Sequence, residues 1–157
     1  MSDKDSGSGK ESGAETAYRF RIDKDGNWYQ DGIRVRHRLT YLYNQKLLDR
    51  DEEGRYFVDE GSGRLYVKVE DTPFVVKMAD YRGGDFYVRL NDETEEKLDL
   101  GNFRIDDNNV PYIKVKGGKF DARFSRPAYY ELMKHAEKIG LDYIIEEGGV
   151  KHVIKSE

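Results

Sequence analysis

The chain has 157 residues, of which 37% are charged, with a net charge of -4 at pH 7 and a mean hydropathy of -0.89. The acidic balance argues against broad binding to nucleic acid or to anionic membranes, since both need a basic face, and no apolar run approaches the roughly 20 residues of a membrane span. The sequence has no cysteine, which excludes disulfides, thiol nucleophiles and thiolate metal sites and favours a cytoplasmic location.

Residues 1–17 consist almost wholly of Ser, Gly, Asp, Lys and Glu. Such a segment buries too little apolar surface to offset the entropy lost on ordering. We therefore predict a disordered tail that acts as a spacer or solubilising arm, with a docking peptide as the alternative.

The first predicted unit, residues 18–72, begins with alternating apolar and polar side chains. One face of this segment carries Tyr18, Phe20 and Ile22. Period-two alternation is typical of a half-buried strand. The turn residues at 25–27 then predict a return strand.

Apolar residues at helical spacing predict a first helix over residues 39–48. Its buried stripe is predicted to be Leu39, Leu42, Tyr43 and Leu47. A strand hairpin across residues 61–63 completes an N-terminal α+β lobe.

Pro73 marks the joint at which the second predicted unit, residues 73–157, begins, because proline fixes its own φ and biases the preceding residue to extended geometry. A hairpin follows, with its turn at residues 82–85. A second helix is predicted from an N-cap at Ser125 to a closing glycine at Gly140. Its apolar stripe is Tyr129, Leu132, Met133 and Ala136.

The two units repeat parts of each other. The tetrapeptide Phe-Arg-Ile-Asp at residues 20–23 recurs at residues 103–106, and Tyr29 and Tyr112 keep the same spacing from it. Self-similarity of this kind indicates two structurally alike lobes. We therefore predict an α+β fold of two related lobes from an internal duplication, each with antiparallel strands and one helix.

The sequence offers no convincing catalytic or metal-binding motif. Asp23 opens a segment similar to an EF-hand calcium loop, but Trp28 and Arg34 stand where that loop needs a glycine and a bidentate glutamate. No pair at metal-ligand spacing occurs among the three histidines, His37, His135 and His152. No phosphate loop or nucleophile elbow is present either. We therefore predict no catalytic residue, no metal and no cofactor, and we favour a protein that is not an enzyme.

Basic residues lead into both predicted helices, namely Arg34, Arg36 and Arg38 before the first and Lys119, Arg123 and Arg126 before the second. A helix N-terminus carries partial positive charge and unpaired N–H groups, so guanidinium groups beside it can bind a phosphate or carboxylate. The alternative is that these arginines pair with the many acidic residues on solvated faces. A cleft between the lobes is predicted to bring together seven ligand-binding residues, Trp28, Arg36, Arg38, Asp71, Arg123, Arg126 and Tyr129.

Several motifs resemble those of a known family. The first half carries an early Gly-x-Trp, a Gly-x-x-x-Arg that enters the first helix, a Gly-Arg-Tyr strand and the segment Val-Glu-Asp-Thr-Pro-Phe at residues 69–74. The second half carries Pro-Tyr-Ile at residues 111–113 and Ala-Arg-Phe-Ser-Arg-Pro-Ala-Tyr-Tyr-Glu-Leu at residues 122–132. In these motifs the chain resembles the proteobacterial family catalogued as domain of unknown function 1285 (DUF1285), over nearly everything after Tyr18.

The resemblance implies a domain duplication whose C-terminal lobe is similar to a pleckstrin-homology barrel capped by a helix. It also implies a ligand site between the lobes, for a nucleotide-like molecule, and a role in signalling. We hypothesise a non-enzymatic binding protein that senses a small anionic ligand, nucleotide-like or phosphorylated, at the lobe interface. The alternative is a protein-interaction adaptor whose C-terminal lobe offers a strand edge or a helix-flanking groove to a protein partner.

Overall fold

Two six-stranded β-sheets of the same connectivity form the frame of the protein. The structure is a computed structural model and describes residues 18–157; the predicted disordered tail, residues 1–17, lies outside the described residues. In each sheet two three-stranded meanders follow one another, and the first strand of the first meander pairs in parallel with the last strand of the second. Each sheet is therefore mixed, and the prediction of antiparallel strands is wrong at this one pairing in each lobe.

The first sheet holds one helix between its two meanders. Its elements are β1 (Phe20–Ile22), β2 (Trp28–Gln30), β3 (Ile33–Arg34), α1 (Arg38–Leu47), β4 (Asp49–Arg50), β5 (Tyr56–Asp59) and β6 (Arg64–Val69). The strand order is β3-β2-β1-β6-β5-β4. Phe20 and Ile22 are buried and Arg21 is half-buried, which confirms the predicted alternation of β1. Tyr18 precedes the strand and is exposed.

The second sheet repeats this plan with a short 3-10 helix, Leu100–Asn102, between its meanders. Its strands are β7 (Phe74–Arg82), β8 (Asp85–Leu90), β9 (Glu95–Lys97), β10 (Arg104–Ile105), β11 (Pro111–Val115) and β12 (Phe120–Phe124). The strand order is β10-β11-β12-β7-β8-β9. The counterpart of β1 is therefore β7, since each is the first strand of its unit and pairs in parallel with the last.

The chain after the second sheet forms a helix and a small antiparallel sheet. These elements are α2 (Arg126–Met133), β13 (Glu137–Ile139), β14 (Asp142–Glu147) and β15 (Val150–Ser156). The predicted N-cap is confirmed, because the Ser125 side chain accepts a hydrogen bond from the backbone N–H of Ala128. The predicted helix end at Gly140 is wrong, because the residues before that glycine pair with β14 as a strand.

The tetrapeptide repeat marks a shared hairpin and does not mark equivalent strands of the two lobes. In the turn after each copy, Asp23 or Asp106 accepts hydrogen bonds from two backbone N–H groups. In each hairpin an arginine lies over the ring of the tyrosine opposite, at 3.9 Å for Arg21 on Tyr29 and 4.4 Å for Arg104 on Tyr112. However, β1 is central in its sheet and β10 is an edge strand. The two sheets thus share one connectivity, which is consistent with the predicted duplication. In this connectivity β1 corresponds to β7, whereas the tetrapeptides would pair β1 with β10.

One hydrophobic core extends through both sheets. It includes Ile22 of β1 and Val67 of β6, Val76 of β7, Leu132 of α2 and Ile145 of β14, all 3% exposed or less. The two sheets are therefore held together by apolar packing in addition to the polar contacts described next.

Candidate functional site

The buried face of α1 carries a glutamine that ties the helix to the joint between the sheets. Gln45 is 3% exposed; its Nε2 donates to the carbonyl of Pro73 at 2.8 Å, and its Oε1 accepts from the indole N–H of Trp28 at 2.7 Å. Leu39 and Tyr43 of the predicted apolar stripe are 65% and 49% exposed. The prediction is wrong at these positions, because the buried residues of α1 are the polar Asn44 and Gln45, and Gln45 bonds to the joint.

The joint is also held by Asp71 on its second-sheet side. Asp71 Oδ2 accepts hydrogen bonds from the Tyr112 hydroxyl and from Nη1 of Arg123, each at 2.8 Å. Burial and the neighbouring Asp71 carboxylate raise the pKa of Tyr112 to about 12. The buried Thr72 hydroxyl donates to the carbonyl of Phe74 at 2.6 Å and accepts from the backbone N–H of Arg123 at 3.1 Å. These contacts fix the start of β7 beside β11 and β12.

The first turn of the N-terminal lobe contacts the second lobe at Gly26. This glycine has φ +86°, and a Cβ there would lie 2.8 Å from Nδ2 of Asn91. Asn91 Nδ2 donates to the Gly26 carbonyl at 3.3 Å, and its Oδ1 accepts from the backbone N–H of Val75 at 3.0 Å. The positive φ and the close contact with the Asn91 side chain therefore favour glycine here.

A basic hollow of about 230 Å³ opens beside this contact, and we call it the interlobe hollow. The residues that line it come from both lobes and include Trp28, Arg34, Arg36, Tyr41, Lys77 and Asn91. Among residues 18–157, its one acidic lining residue is Asp25. Three cations against one carboxylate make the hollow positive on a chain of negative net charge.

The cations of the interlobe hollow are not neutralised by ion pairs within the described part of the chain. Arg34 Nη2 donates to the amide oxygen of Asn27 at 2.9 Å, and Lys77 Nζ donates to the carbonyl of Asp25 at 3.3 Å. These acceptors are neutral. The helix α1 begins at the same place, with no side-chain cap from His37 and no acidic residue in its first turn. Both features favour an anion.

Arg38, unlike Arg36, forms an ion pair, and its partner is Glu93 of the second lobe. Its Nε donates to Oε2 of Glu93 at 2.8 Å, and its Nη2 donates to Oε1 of the same carboxylate. The pairing with Arg38 lowers the pKa of Glu93. The pair joins the start of α1 to the turn between β8 and β9.

A second polar hollow of about 230 Å³ lies at the start of α2, and we call it the α2 hollow. It is lined by Asn108, Asn109, Val110, Pro111, Arg123, Phe124, Arg126, Tyr129 and Tyr130. All of these residues belong to the C-terminal half, and none lines the interlobe hollow.

The fold is similar to that of two crystal structures. A DUF1285 family protein from Silicibacter pomeroyi DSS-3 superposes with a TM-score of 0.72 and 19% sequence identity, over 88% of this chain and 80% of that one. The chain has the DUF1285 fold. A DUF1285 family protein from Shewanella baltica OS155 superposes with a TM-score of 0.62 and 17% identity, over 74% of this chain and 91% of that one. The resemblance predicted from the motifs is thus confirmed at the level of the fold.

Comparison by sequence adds nothing to this structural likeness to DUF1285 proteins. No protein-family model matches the chain, and no curated protein matches it.

The most specific DUF1285-like segment, residues 69–74, has a structural role in this fold. It contains Asp71, Thr72 and Pro73, which make the joint contacts with Arg123, Tyr112 and Gln45. The side chains of Asp71 and Thr72 are therefore engaged by contacts within the chain.

The seven predicted ligand-binding residues do not line one cavity. Trp28 and Arg36 line the interlobe hollow, and Arg123, Arg126 and Tyr129 line the α2 hollow. The remaining two, Arg38 and Asp71, are in ion pairs with Glu93 and Arg123.

Tyr41, Lys77 and Asn91 line the interlobe hollow but were not among the predicted ligand-binding residues. In the sequence, Lys77 stands out only because it interrupts an apolar run in β7. No sequence pattern could have indicated Asn91, because its role depends on contact with Gly26 of the other lobe.

Within residues 18–157, no helix is long and apolar enough to cross a membrane. In the same part of the chain, no group of three or more His, Asp or Glu side chains is placed to hold a metal ion.

Proposed function

We propose that the chain is a non-enzymatic sensor that binds a small anionic ligand of the nucleotide class in the interlobe hollow and acts in signalling. The observation that carries the proposal is the set of three cations, Arg34, Arg36 and Lys77, which converge from both sheets on one hollow without a carboxylate partner. A phosphate group would supply the missing acceptors, and guanidinium forks match its geometry.

The electrostatic setting supports a ligand over a structural role for these cations. Arg38, the first residue of α1, and Arg123, in β12, are each paired with a carboxylate. Arg36 is exposed and has no such partner within residues 18–157. An unneutralised cation beside an uncapped helix start attracts anions.

The aromatic residue available to a base is Tyr41. Trp28 lines the hollow but is 2% exposed, and its ring packs edge-on against Phe20 at 6.0 Å. Tyr41 lines the same hollow and is half-buried, so part of its ring is open to stacking. A base would therefore stack on Tyr41 while its phosphate meets the cations.

The size of the hollow limits what it encloses. Its volume of about 230 Å³ is below the roughly 300–1,000 Å³ of pockets that enclose whole drug-sized ligands. We therefore propose that the phosphate end enters the hollow and that the rest of the nucleotide lies across its mouth.

Calorimetric titration with AMP and with inorganic phosphate tests this function. Arg36→Gln and Lys77→Gln should each weaken AMP binding by about tenfold or more, since hydrogen bonds to charged groups contribute roughly 1.5–3 kcal/mol. Lys68→Gln, an exposed charge change on β6 outside the hollow, should bind AMP as the wild type does. Absence of AMP binding, or equal binding by the hollow variants and the control, would show the proposal to be wrong.

A second function is favoured by exposed apolar residues on the last sheet and in the turn between β13 and β14. Leu141, Val150 and Val153 are 64%, 55% and 58% exposed. We propose as the alternative an adaptor in which the C-terminal lobe, pleckstrin-homology-like by family resemblance, presents this sheet to a protein partner. Crosslinking in cell extract should give one discrete adduct that Val153→Lys removes and Lys68→Gln does not; an adduct insensitive to Val153→Lys would contradict the adaptor.

A further inference from the structure

A hollow of about 350 Å³ lies between α1 and the first sheet, and we call it the α1 hollow. The helix contributes Leu39, Thr40, Tyr43 and Asn44, and the sheet contributes residues of the adjacent strands β1, β2 and β6. Its volume falls within the roughly 300–1,000 Å³ of known ligand pockets. It shares no lining residue with the interlobe hollow or the α2 hollow, so it is a separate feature of the N-terminal lobe.

The buried amide of Asn44 opens onto this hollow. Asn44 is 5% exposed, and its side chain forms no hydrogen bond within residues 18–157, although most buried polar groups are hydrogen-bonded. In this part of the chain the fully enclosed side-chain polar atoms that lack a partner are Asp121 Oδ1 and the Tyr129 hydroxyl oxygen. The unpaired Asn44 Nδ2 is therefore not fully enclosed, and its remaining surface faces the hollow that the residue lines.

The neighbouring amides show what Asn44 lacks. Gln45, the next residue of α1, is bonded to the Trp28 indole and to the Pro73 carbonyl. Gln30 follows Trp28 by two residues on the same face of β2, lines the α1 hollow and is half-buried, and its amide forms no hydrogen bond within the described residues. Two carboxamides, each with a donor and an acceptor, are thus left to a ligand.

The walls of the α1 hollow are apolar and partly open. Leu39, Tyr43 and Leu65 line it and are 65%, 49% and 36% exposed. The apolar surface continues past the hollow, because Ile33 lies opposite Gln30 on the edge strand β3 and is 73% exposed. Contiguous exposed apolar surface with a polar rim is typical of a protein interaction site.

The charges at the rim of the α1 hollow cancel. Arg19 and Glu60 line it with opposite signs, and Arg19 already lies 3.6 Å from the Asp31 carboxylate. The hollow therefore suits a neutral ligand, in contrast to the interlobe hollow.

We propose that the α1 hollow binds an extended apolar segment of a protein partner. One aliphatic side chain of that segment lies between Leu39, Tyr43 and Leu65, and the adjoining peptide carbonyl accepts a hydrogen bond from Asn44 Nδ2. A peptide group is uncharged and offers one N–H and one C=O, which complement the two groups of a carboxamide. The next residue of the segment covers Ile33, which a small molecule confined to the hollow would leave exposed.

Titration of the wild-type chain with the capped dipeptide acetyl-Leu-Leu-amide, followed by NMR, tests the site. The backbone amides of residues 39–44 and the side-chain NH₂ resonances of Asn44 should shift saturably. Acetyl-Ser-Ser-amide keeps the backbone without the aliphatic groups and should bind more weakly by about tenfold or more. Absence of a saturable shift with the leucine peptide, or equal binding of the two peptides, would overturn the proposal.

Two matched variants test the apolar wall. Leu39→Ser changes a side chain that is largely exposed in the free chain and should weaken binding of acetyl-Leu-Leu-amide by about threefold or more. Leu141→Ser, at a leucine of equal exposure between β13 and β14, should bind as the wild type does. Loss of binding in Leu141→Ser alone would assign the peptide to the last sheet and contradict the α1 hollow.

Asn44→Asp tests the amide. It replaces the Nδ2 donor by a carboxylate oxygen that repels the peptide carbonyl, and it should weaken binding by about tenfold at neutral pH. A folded Asn44→Asp chain that binds as the wild type does would overturn the role of the amide. Should this variant fail to fold, Leu39→Ser decides alone, because its position is exposed.

Other occupants of the α1 hollow would give different results. A second copy of the chain would produce a dimer at rising concentration in sedimentation, and Leu39→Ser would abolish that dimer. Residues 1–17 in the hollow would give nuclear Overhauser contacts to Leu39 or Leu65 in the free chain. Either result would overturn a partner segment as the occupant, whereas loss of AMP binding in Arg36→Gln bears on the interlobe hollow alone.

Discussion

Gln45 of α1 donates a hydrogen bond to the carbonyl of Pro73 at 2.8 Å, and this contact fastens the helix of the first lobe to the joint that leads into the second. The same side chain accepts from the Trp28 indole, so one amide satisfies two buried groups. The interlobe hollow is lined on one side by Trp28 itself. The position of that hollow therefore depends on Gln45.

We predict that Gln45→Ala destabilises the protein by roughly 2–5 kcal/mol, because it leaves the Trp28 N–H and the Pro73 carbonyl unpaired in the interior. Urea unfolding followed by Trp28 fluorescence measures the change. Lys46→Ala, at the exposed next position of the same helix, should change the free energy of unfolding by less than about 0.5 kcal/mol. Equal effects of the two variants would contradict the role of Gln45.

We predict that Gly26→Ala is more harmful than Gly32→Ala, although the two glycines have almost the same backbone conformation, with φ +86° and +82°. Gly32→Ala meets no atom within 4 Å and should cost about 1–2 kcal/mol for the left-handed backbone alone. Gly26→Ala also displaces Asn91 and its hydrogen bonds, which should add about 1–3 kcal/mol. Thermal unfolding of the two variants gives the comparison, and similar losses would show that the lobes do not approach closely at Gly26.

We predict that the pair between Arg38 and Glu93 makes lobe association dependent on pH and salt. The pKa of Glu93 is lowered in the folded chain, so the stabilisation is present above the ordinary glutamate pKa and is lost as the pH falls through the lowered value. The difference in unfolding temperature between wild type and Glu93→Gln should therefore be largest near neutral pH and low salt and should shrink in acid. The exchanged pair Arg38→Glu with Glu93→Arg should recover the neutral-pH stability that either single variant loses.

We predict the opposite pH window for Tyr112. Its pKa is raised to about 12 by burial and by Asp71, so its stabilising contribution is complete below the ordinary tyrosine pKa and is lost as the pH rises toward about 12. Burial also raises the pKa of Tyr129, so near-ultraviolet absorbance should show more than one late-ionising phenol in the wild type. Tyr112→Phe should remove the ionisation near pH 12, and Tyr130→Phe should retain it. Asp71→Asn should lower the pKa of Tyr112 part of the way, because burial persists.

Local patterns were sufficient to predict much of the fold. The alternation of Phe20 and Ile22 predicted their burial, and the Ser125 cap followed from the residues around it. These features depend on neighbours in sequence. Contacts between the lobes could not be predicted this way: Gln45 is buried because it meets Pro73, and Asn91 lines the hollow because it meets Gly26.

The repeated tetrapeptide correctly indicates two similar turns, but it gives the wrong correspondence between the strands of the two lobes. Asp23 and Asp106 shape equivalent turns, and identical letters at these turns reflect equal turn geometry. The equivalence of whole lobes depends on which strands pair in parallel, and side-chain patterns carry little information on that. The predicted single cleft was likewise an extrapolation from two similar local sites, at Arg36 and at Arg126, which the structure places in different hollows.

The parallel pairing of first with last strand in each sheet has a consequence for synthesis on the ribosome. Phe20 lies beside Val67, and Phe74 lies beside Ala122, so neither sheet is complete until its sixth strand has left the exit tunnel. Nascent chains that stop before β6 or before β12 therefore expose unpaired central strands, which invite pairing with other chains.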